Sequence, residues 1–168
     1  SGPSMIEPPA NCTICNITTA DQMFEETFKQ INDNIIDVVF CVAAVCDYKP
    51  KEYSKEKIKK QTKNMAIDLT RNKDILKEVS NLRNRPFLVG FAAETNDLKK
   101  NALQKLSEKN CDVLAANNVL TQNSGFNSPF NELLVLSRTK QKLIQRAYKY
   151  DVAKQLINFV HSEINTQV

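Results

Sequence analysis

Long apolar runs alternate along this chain with segments whose apolar residues recur at helical spacing. Three runs rich in Val, Leu, Ile and Ala have the composition of strands buried on both faces. They span residues 35–44, 86–94 and 111–116. Two shorter segments also predict strands, residues 11–17 and, by apolar alternation, residues 65–70. Helical spacing predicts helices over residues 20–32, 73–82, 96–109 and 151–164.

The order of these elements predicts the fold class. Strands alternate with helices four times, which favours a Rossmann-like, three-layer α/β fold whose parallel sheet is covered on both faces. A turn-rich segment then precedes residues 133–136 and 142–144, which predict a C-terminal antiparallel hairpin. We expect a single domain over residues 1–168, because the length suits one core and no internal repeat is visible.

Capping and core positions follow from the same spacing. Thr18 or Thr19 precedes the first predicted helix and is a candidate for its N-cap. On the last helix, one apolar stripe is expected to face the core. Its members are Ala153, Leu156, Ile157 and Val160.

Polar residues follow the three long strands at the point where each strand ends. The pairs are Asp47 with Tyr48, Glu94 with Thr95, and Asn117 with Asn118. Because the carboxyl ends of parallel strands meet at one edge of a sheet, we expect these pairs to line a ligand-binding cleft. The alternative is that they are ordinary polar residues of surface loops.

Positive charge is concentrated in one loop. Residues 49–63 hold seven lysines and two glutamates, whereas the remaining residues hold 16 basic and 17 acidic side chains. A general nucleic-acid binder is more often basic over a whole face, so this local patch favours a small polyanion and no nucleic acid. Lys105 and Lys109 share one helix face and repel each other unless an anion lies between them. For both sets of lysines, a solvated surface is the alternative.

Cysteine and glycine usage narrows the chemistry. Cys12 and Cys15 form the only C-x-x-C, and His161 is the only histidine, so a zinc site is not expected. We expect the cysteines to be small buried hydrophobic residues of a reduced, cytoplasmic protein. Three glycines cannot form a G-x-G-x-x-G motif or a P-loop. We see no membrane span and no signal peptide in the sequence.

Five motifs occur in order and together resemble one family. They are AAVCDYKP at residues 43–50, EKIKK at 56–60, RNKDIL at 71–76, VGFAAET at 89–95 and DVLAANNV at 112–119, with GFN at 125–127 and Asn131 beyond them. The sequence resembles the bacterial phosphopantothenate–cysteine ligase, the CTP-dependent synthetase of coenzyme A biosynthesis. That domain is usually the C-terminal half of a bifunctional protein, fused to a flavin-dependent decarboxylase.

The resemblance implies a homodimer that uses CTP with Mg²⁺. In that family, 4′-phosphopantothenate attacks the α-phosphate of CTP, which gives an acyl-cytidylate and pyrophosphate. The amine of cysteine then displaces CMP to form an amide. This chemistry requires neutralisation of a crowded polyphosphate and little covalent help from the protein.

The resemblance also implies roles for particular residues. Asp47 contacts CTP through the ribose or a metal, and Lys57 contacts the triphosphate, so these two are the catalytic candidates. The strand end offers backbone groups to the nucleotide and the intermediate. The other implied contacts are Cys41, Val42 and Ala43 at that strand end, Lys73, Asp74, Ile75 and Leu76 beside the nucleotide, Phe91 near the base, and Lys105 and Lys109. No set of metal ligands is implied.

Two departures from the family pattern are visible. Lys73 stands where the family usually has proline, a mild change at a helix N-terminus. The family's initial glycine-rich strand–loop–helix and its Arg…Asn-x-Ser-Ser-Gly segment are not found in the sequence. We therefore expect a fragment of a longer enzyme, or first strands supplied by another polypeptide.

An unpaired edge at residues 35–44 should then cause association or co-purification with the N-terminal piece. The chain alone should make no product and bind CTP weakly. The alternative functions are a non-catalytic nucleotide-binding or oligomerisation module and, less favoured, a polyanion-binding protein.

Overall fold

The computed structural model describes residues 1–4, 6–54, 56–59, 64–118 and 128–166. They form two units, each taken by itself below. The first unit comprises Ser1–Asp33 and Ala43–Asp74, and the second comprises Asn34–Val42 and Ile75–Val168. Within the described ranges, no helix is long and apolar enough to cross a membrane.

A five-stranded mixed sheet organises the second unit. In spatial order its strands are β1 (Val38–Cys41), β4 (Phe87–Glu94), β5 (Val113–Asn118), β6 (Phe130–Ser137) and β7 (Gln141–Tyr148). β1, β4 and β5 run parallel, whereas β6 is antiparallel to both of its neighbours. The predicted α/β class and the C-terminal hairpin are therefore confirmed.

Helices cover both faces of this sheet. On one face, α4 (Lys149–Ile164) packs against a core that includes Val89, Val113 and Val135. Neighbouring residues in a strand face opposite sides of the sheet. Gly90, next to Val89, therefore faces the other side, where α2 (Ile75–Ser80) and α3 (Leu98–Lys109) pack. α2 lies very close to β4, because a Cβ added to Gly90 would be 2.7 Å from Leu76 Cδ2. Glycine therefore permits this contact.

The buried face of α4 differs from the prediction. Leu156 and Val160 are buried as expected, but Ala153 and Ile157 are exposed. The buried face consists of Val152, Leu156, Phe159, Val160 and Glu163. This stripe removes the large Phe159 side chain from water, which gains more than burying Ala153 would.

β1 is shorter and more exposed than the predicted strand over residues 35–44. Ile35 is 97% exposed and Val42 57% exposed, and they lie outside the strand. β1 stands at the edge of the sheet and pairs with β4 on one side. The prediction of burial on both faces was wrong, since an edge strand lacks one neighbour. An unpaired edge among the described residues was, in contrast, expected.

The first unit contains α1 (Ala20–Asp33) and a two-stranded antiparallel sheet of β2 (Tyr48–Pro50) and β3 (Leu69–Arg71). Thr19 begins α1 with a capping box. The Gln22 backbone N–H donates to Thr19 Oγ1 at 3.1 Å, and Gln22 Oε1 accepts from the Thr19 backbone N–H at 3.1 Å. The predicted helix and its cap are confirmed.

Two strand predictions in the first unit were wrong, one wholly and one in part. Residues 11–17 form no strand, and the backbone of Cys15 and Ile17 bonds instead to that of Ser1. Of residues 65–70, only the last two belong to β3. Met65 is 62% exposed and Ile67 61% exposed, so no buried face fixes a longer strand. β2 lies where a polar loop was expected.

The cysteines are less buried than predicted. Cys111 is buried, but Cys12 and Cys46 are exposed, and Cys15 and Cys41 are half-buried. Cys12 and Cys46 lie outside the strands, so no sheet covers them. Burial raises the pKa of the Cys111 thiol to about 11, which keeps this thiol protonated near neutral pH.

An ion pair between a buried carboxylate and an exposed lysine lies at the hairpin end of the sheet. Glu163 is 6% exposed, and Lys140 Nζ lies 2.7 Å from its Oε1. The Thr139 hydroxyl donates to Oε2 at 3.3 Å. Burial alone would raise the pKa of Glu163, but hydrogen bonds from Lys140, Ser137 and Thr139 outweigh it, so this pKa lies below its ordinary value.

The lowered pKa of Glu163 predicts an acid-sensitive contribution to folding. A carboxyl group with a depressed pKa in the folded state stabilises above its unfolded pKa, and this stabilisation is lost as the pH falls through the folded value. We expect Glu163→Gln to flatten the fall in unfolding free energy below about pH 4.5. Urea unfolding followed across pH 3–7 measures it. An unchanged slope would contradict the prediction, and Glu25→Gln, on exposed α1 surface, is the control.

Candidate functional site

Two of the three predicted polar pairs meet at the carboxyl edge of the second-unit sheet. β4 and β5 end side by side, with Ala93 opposite Asn117 and Glu94 opposite Asn118. Glu94 is buried, and Asn117 and Asn118 are half-buried. Parallel pairing therefore brings these polar groups together as expected. The third pair, Asp47 with Tyr48, belongs to the first unit.

Lys105 also reaches this edge. Its Nζ lies 2.7 Å from Glu94 Oε1, and Asn101 Nδ2 donates to Glu94 Oε2 at 3.2 Å. The sequence left open whether an anion lies between Lys105 and Lys109 or both are solvated, and beside Lys105 the structure has a carboxylate of the protein itself. Lys109 is the last residue of α3, one helical turn further from the carboxyl edge.

Phe91 and the end of β1 both lie towards the carboxyl edge, but the Phe91 side chain is on the α4 face of the sheet. Phe91 is half-buried and packs against the core on the α4 face, opposite the face of α3. The structure therefore does not bring Phe91 next to Lys105. Cys41 ends β1 opposite Gly90 of β4, and the exposed Val42 follows it. A ligand that touches both Phe91 and Lys105 must span the sheet edge.

Ile75 and Leu76 lie in the first turn of α2, where the resemblance implied a loop beside the nucleotide. Ile75 is 9% exposed. Leu76 packs over Gly90 of β4. Both side chains are thus used in the core of the second unit, and the buried Ile75 has little surface left for a ligand.

In the first unit, Asp47 sits beside Asn72. The Asn72 backbone N–H donates to the Asp47 carbonyl at 2.8 Å, and Asn72 Nδ2 donates to the Cys46 carbonyl at 2.8 Å. These bonds extend the β2–β3 pairing and place Asp47 opposite Asn72, which Lys73 and Asp74 follow along the chain. The sequence assigned no role at the site to Asn72, which lies inside the RNKDIL motif.

The remaining predicted residues of the first unit are exposed. Lys57, Ala43 and the Asp47 side chain face solvent. The Lys73 ammonium lies 4.3 Å from the centre of the Phe24 ring, a cation–π contact within the protein. A phosphate that uses Lys73 must therefore compete with this aromatic contact.

No cluster of three potential metal ligands occurs in the part of the chain that the structure describes. Mg²⁺ usually keeps several waters and binds through one or two carboxylates together with substrate phosphates. The single exposed carboxylates of Asp47 and Asp74 fit an ion that arrives with a nucleotide better than one held by a dedicated cage.

The chain is similar in sequence and in structure to proteins of coenzyme A biosynthesis. The chain is 36% identical over 163 residues to coenzyme A biosynthesis bifunctional protein CoaBC of Vibrio vulnificus, and the match covers 93% of this chain and 40% of that protein. The chain thus spans less than half the length of this curated relative. The solved C-terminal domain of a CoaBC protein has a TM-score of 0.77 at 27% identity, over 99% of this chain and 72% of that chain.

A Cab2 mutant in complex with phosphopantothenate-cysteine shares the fold alone. Its TM-score is 0.64 at 17% identity, over 90% of this chain and 54% of that chain. A protein-family model, in contrast, matches the sequence itself over residues 1–164. The chain belongs to the family of the DNA/pantothenate metabolism flavoprotein C-terminal domain.

Proposed function

We propose that this chain is the domain that joins 4′-phosphopantothenate to cysteine with consumption of CTP. The observation that carries the proposal is the 36% identity over 163 residues to a coenzyme A biosynthesis protein, in a sequence that holds the five ligase motifs. The distant structural neighbour bound to phosphopantothenate-cysteine supports the same class of ligand. That molecule is what the ligation would yield.

The first step is attack on CTP. A carboxylate oxygen of 4′-phosphopantothenate bonds to the α-phosphorus, and pyrophosphate leaves with the electron pair of the broken P–O bond. Negative charge accumulates on the phosphate oxygens, so fixed positive charge lowers the barrier. Lys57 is the residue we assign to this role, and Lys105 and Lys109 add positive charge. Asp47 and the backbone of Cys41, Val42 and Ala43 hold the nucleotide and the acyl-cytidylate.

The second step forms the amide. The amine nitrogen of cysteine attacks the acyl carbon, CMP leaves with the electron pair of the acyl–oxygen bond, and the nitrogen releases its proton to solvent. The protein's contribution is to keep the intermediate in place and oriented. We place Phe91 near the base and Lys73 and Asp74 beside the nucleotide. Ile75 and Leu76 follow them in the chain and anchor α2 in the core of the second unit. Mg²⁺, when bound, neutralises charge on the triphosphate.

The assembly and location are part of the same proposal. The relatives in the comparison are bifunctional coenzyme A biosynthesis proteins. This supports a chain that is joined to or associated with a flavin-dependent decarboxylase, and from the resemblance we also assign it to a homodimer in the cytoplasm. A homodimer also suits the unpaired, apolar edge of β1, where Phe40 is 39% exposed.

The test is a coupled assay on the purified native protein that carries these 168 residues. With CTP, Mg²⁺, 4′-phosphopantothenate and cysteine, we expect pyrophosphate release and a product with the mass of phosphopantothenoylcysteine. ATP should replace CTP poorly, because Phe91 and backbone groups read the base and no side chain is assigned to a purine edge.

Three outcomes would contradict this function. CTP binding without pyrophosphate release would favour a non-catalytic nucleotide-binding module. Association without CTP binding would favour an oligomerisation module. Salt-dependent, sequence-independent binding to DNA would favour a polyanion-binding protein. Equal use of ATP and CTP would overturn only the assignment of Phe91 and backbone groups to base recognition, and the ligase function would stand.

A further inference from the structure

The proposed function leaves one buried carboxylate at the carboxyl edge without a role. Glu94 is the last residue of β4 and is 8% exposed. A buried carboxylate is costly unless charged or polar groups compensate it. The groups that compensate Glu94 therefore reveal what it does at this edge.

Both oxygens of Glu94 are occupied from one face of α3. Lys105 Nζ lies 2.7 Å from Oε1, and Asn101 Nδ2 lies 3.2 Å from Oε2. Asn101 and Lys105 are four residues apart and so lie one above the other on the helix. The Asn101 amide also donates to the Asn96 carbonyl at 2.8 Å, which fixes its orientation. The carboxylate is thus held in one place and binds Lys105 there.

The two members of the ion pair differ in exposure. The Glu94 side chain is 10% exposed, whereas that of Lys105 is 42% exposed. An ammonium has three N–H donors, so a Lys105 side chain that is 42% exposed can bind a second acceptor while its ion pair with Glu94 persists. Because the Lys105 side chain is already ordered by Glu94, an anion that binds it does not have to restrict a freely rotating chain.

We propose that Glu94 is a positioning residue that holds the Lys105 ammonium at the carboxyl edge of the sheet to receive the phosphate chain of the nucleotide. This inference rests on the proposed function and extends it to a residue that the function does not use. The negative charge of Glu94 opposes a triphosphate, so the benefit must come from the placement of Lys105. Loss of Glu94 should therefore act through Lys105 only.

That dependence can be measured with a double-mutant cycle. We expect Lys105→Met and Glu94→Ala each to raise the KM for CTP about tenfold, the effect of one lost charge-assisted hydrogen bond. The double variant should also show about a tenfold rise, because the two changes remove the same interaction. Glu94→Gln, which keeps an acceptor for the ammonium, should recover part of the affinity. The KM for cysteine should not change.

The chain offers a matched control at the opposite edge of the same sheet. The Lys140–Glu163 pair has the same 2.7 Å separation, with side chains 46% and 7% exposed. Glu163→Ala and Lys140→Met should lower stability as much as the Glu94 variants do, without raising the KM for CTP. Equal rises from Glu163→Ala and Glu94→Ala would overturn the proposal, since they would indicate a general loss of stability.

The remaining outcomes also decide the question. Independent, multiplying effects of Glu94→Ala and Lys105→Met would show that Glu94 does not act through Lys105. An unchanged KM in Lys105→Met would overturn the inference and leave the ligase activity standing. If the native protein makes no product, the proposed function fails, and calorimetric titration of the same variants with CTP replaces the assay. No CTP binding in that titration would overturn the inference too.

Discussion

Replacing Lys57 with alanine is expected to lower turnover at least ~100-fold, equivalent to ~3 kcal/mol of transition-state stabilisation. Lys57 is exposed, so its loss leaves no cavity and no unpaired buried group. The substitution is therefore expected to lower the reaction rate without lowering the stability of the fold. If Lys57 neutralises the triphosphate, kcat should fall because charge on the phosphates increases in the transition state. Steady-state pyrophosphate release from the native protein measures it.

Lys63, which lies outside the residues that the structure describes, provides the comparison. Lys63 carries the same charge, and the resemblance assigns it no phosphate, so Lys63→Ala should change turnover little. Unfolding curves of both variants should superimpose on that of the parent protein. Equal and small losses in the two variants would instead describe a loop of solvated lysines and would remove Lys57 from the site.

The elements that the sequence predicted well are those with a long buried stretch. β4 and β5 were recognisable because parallel strands between helices are apolar throughout. β1 was overpredicted, because an edge strand and the loop after it have the same Val- and Ala-rich composition as a central strand. The period of two in residues 65–70 misled for another reason, since those side chains face solvent and nothing buried enforces the pattern.

The candidate site was predictable only where strand ends define it. Glu94 and Asn118 could be placed side by side, because they end two parallel strands that pair. The contacts that arise from tertiary packing could not be predicted. Nothing in the RNKDIL motif indicates that Lys73 lies over the Phe24 ring, and nothing in α3 indicates that Lys105 pairs with Glu94. The Asn72 bonds that hold the Asp47 loop depend likewise on the β2–β3 pairing.

The largest stability effect is expected at the amino edge of the sheet, where Asp112 joins β4 to β5. Arg85 forms a two-pronged ion pair with Asp112, in which Arg85 Nη2 lies 2.8 Å from Oδ1. The Leu88 backbone N–H also donates to Asp112 Oδ2 at 2.8 Å. Hydrogen bonding to Asp112 raises the pKa of Arg85, so the guanidinium stays charged. Removing Asp112 would leave that charge, 20% exposed, without its partner.

We expect Asp112→Ala to lower the unfolding free energy by about 3 kcal/mol, because a largely buried charge loses its carboxylate partner and the Leu88 backbone N–H loses its acceptor. Asp112→Asn should cost less, since its amide oxygen still accepts one of these bonds. Asp21→Ala is the comparison, because the Lys49–Asp21 pair is 39% and 46% exposed and should contribute less than about 1 kcal/mol. Urea unfolding followed by circular dichroism measures all three variants. A loss in Asp112→Ala no larger than that in Asp21→Ala would mean that water or another acceptor compensates Arg85, and that this ion pair does not hold β4 and β5 together.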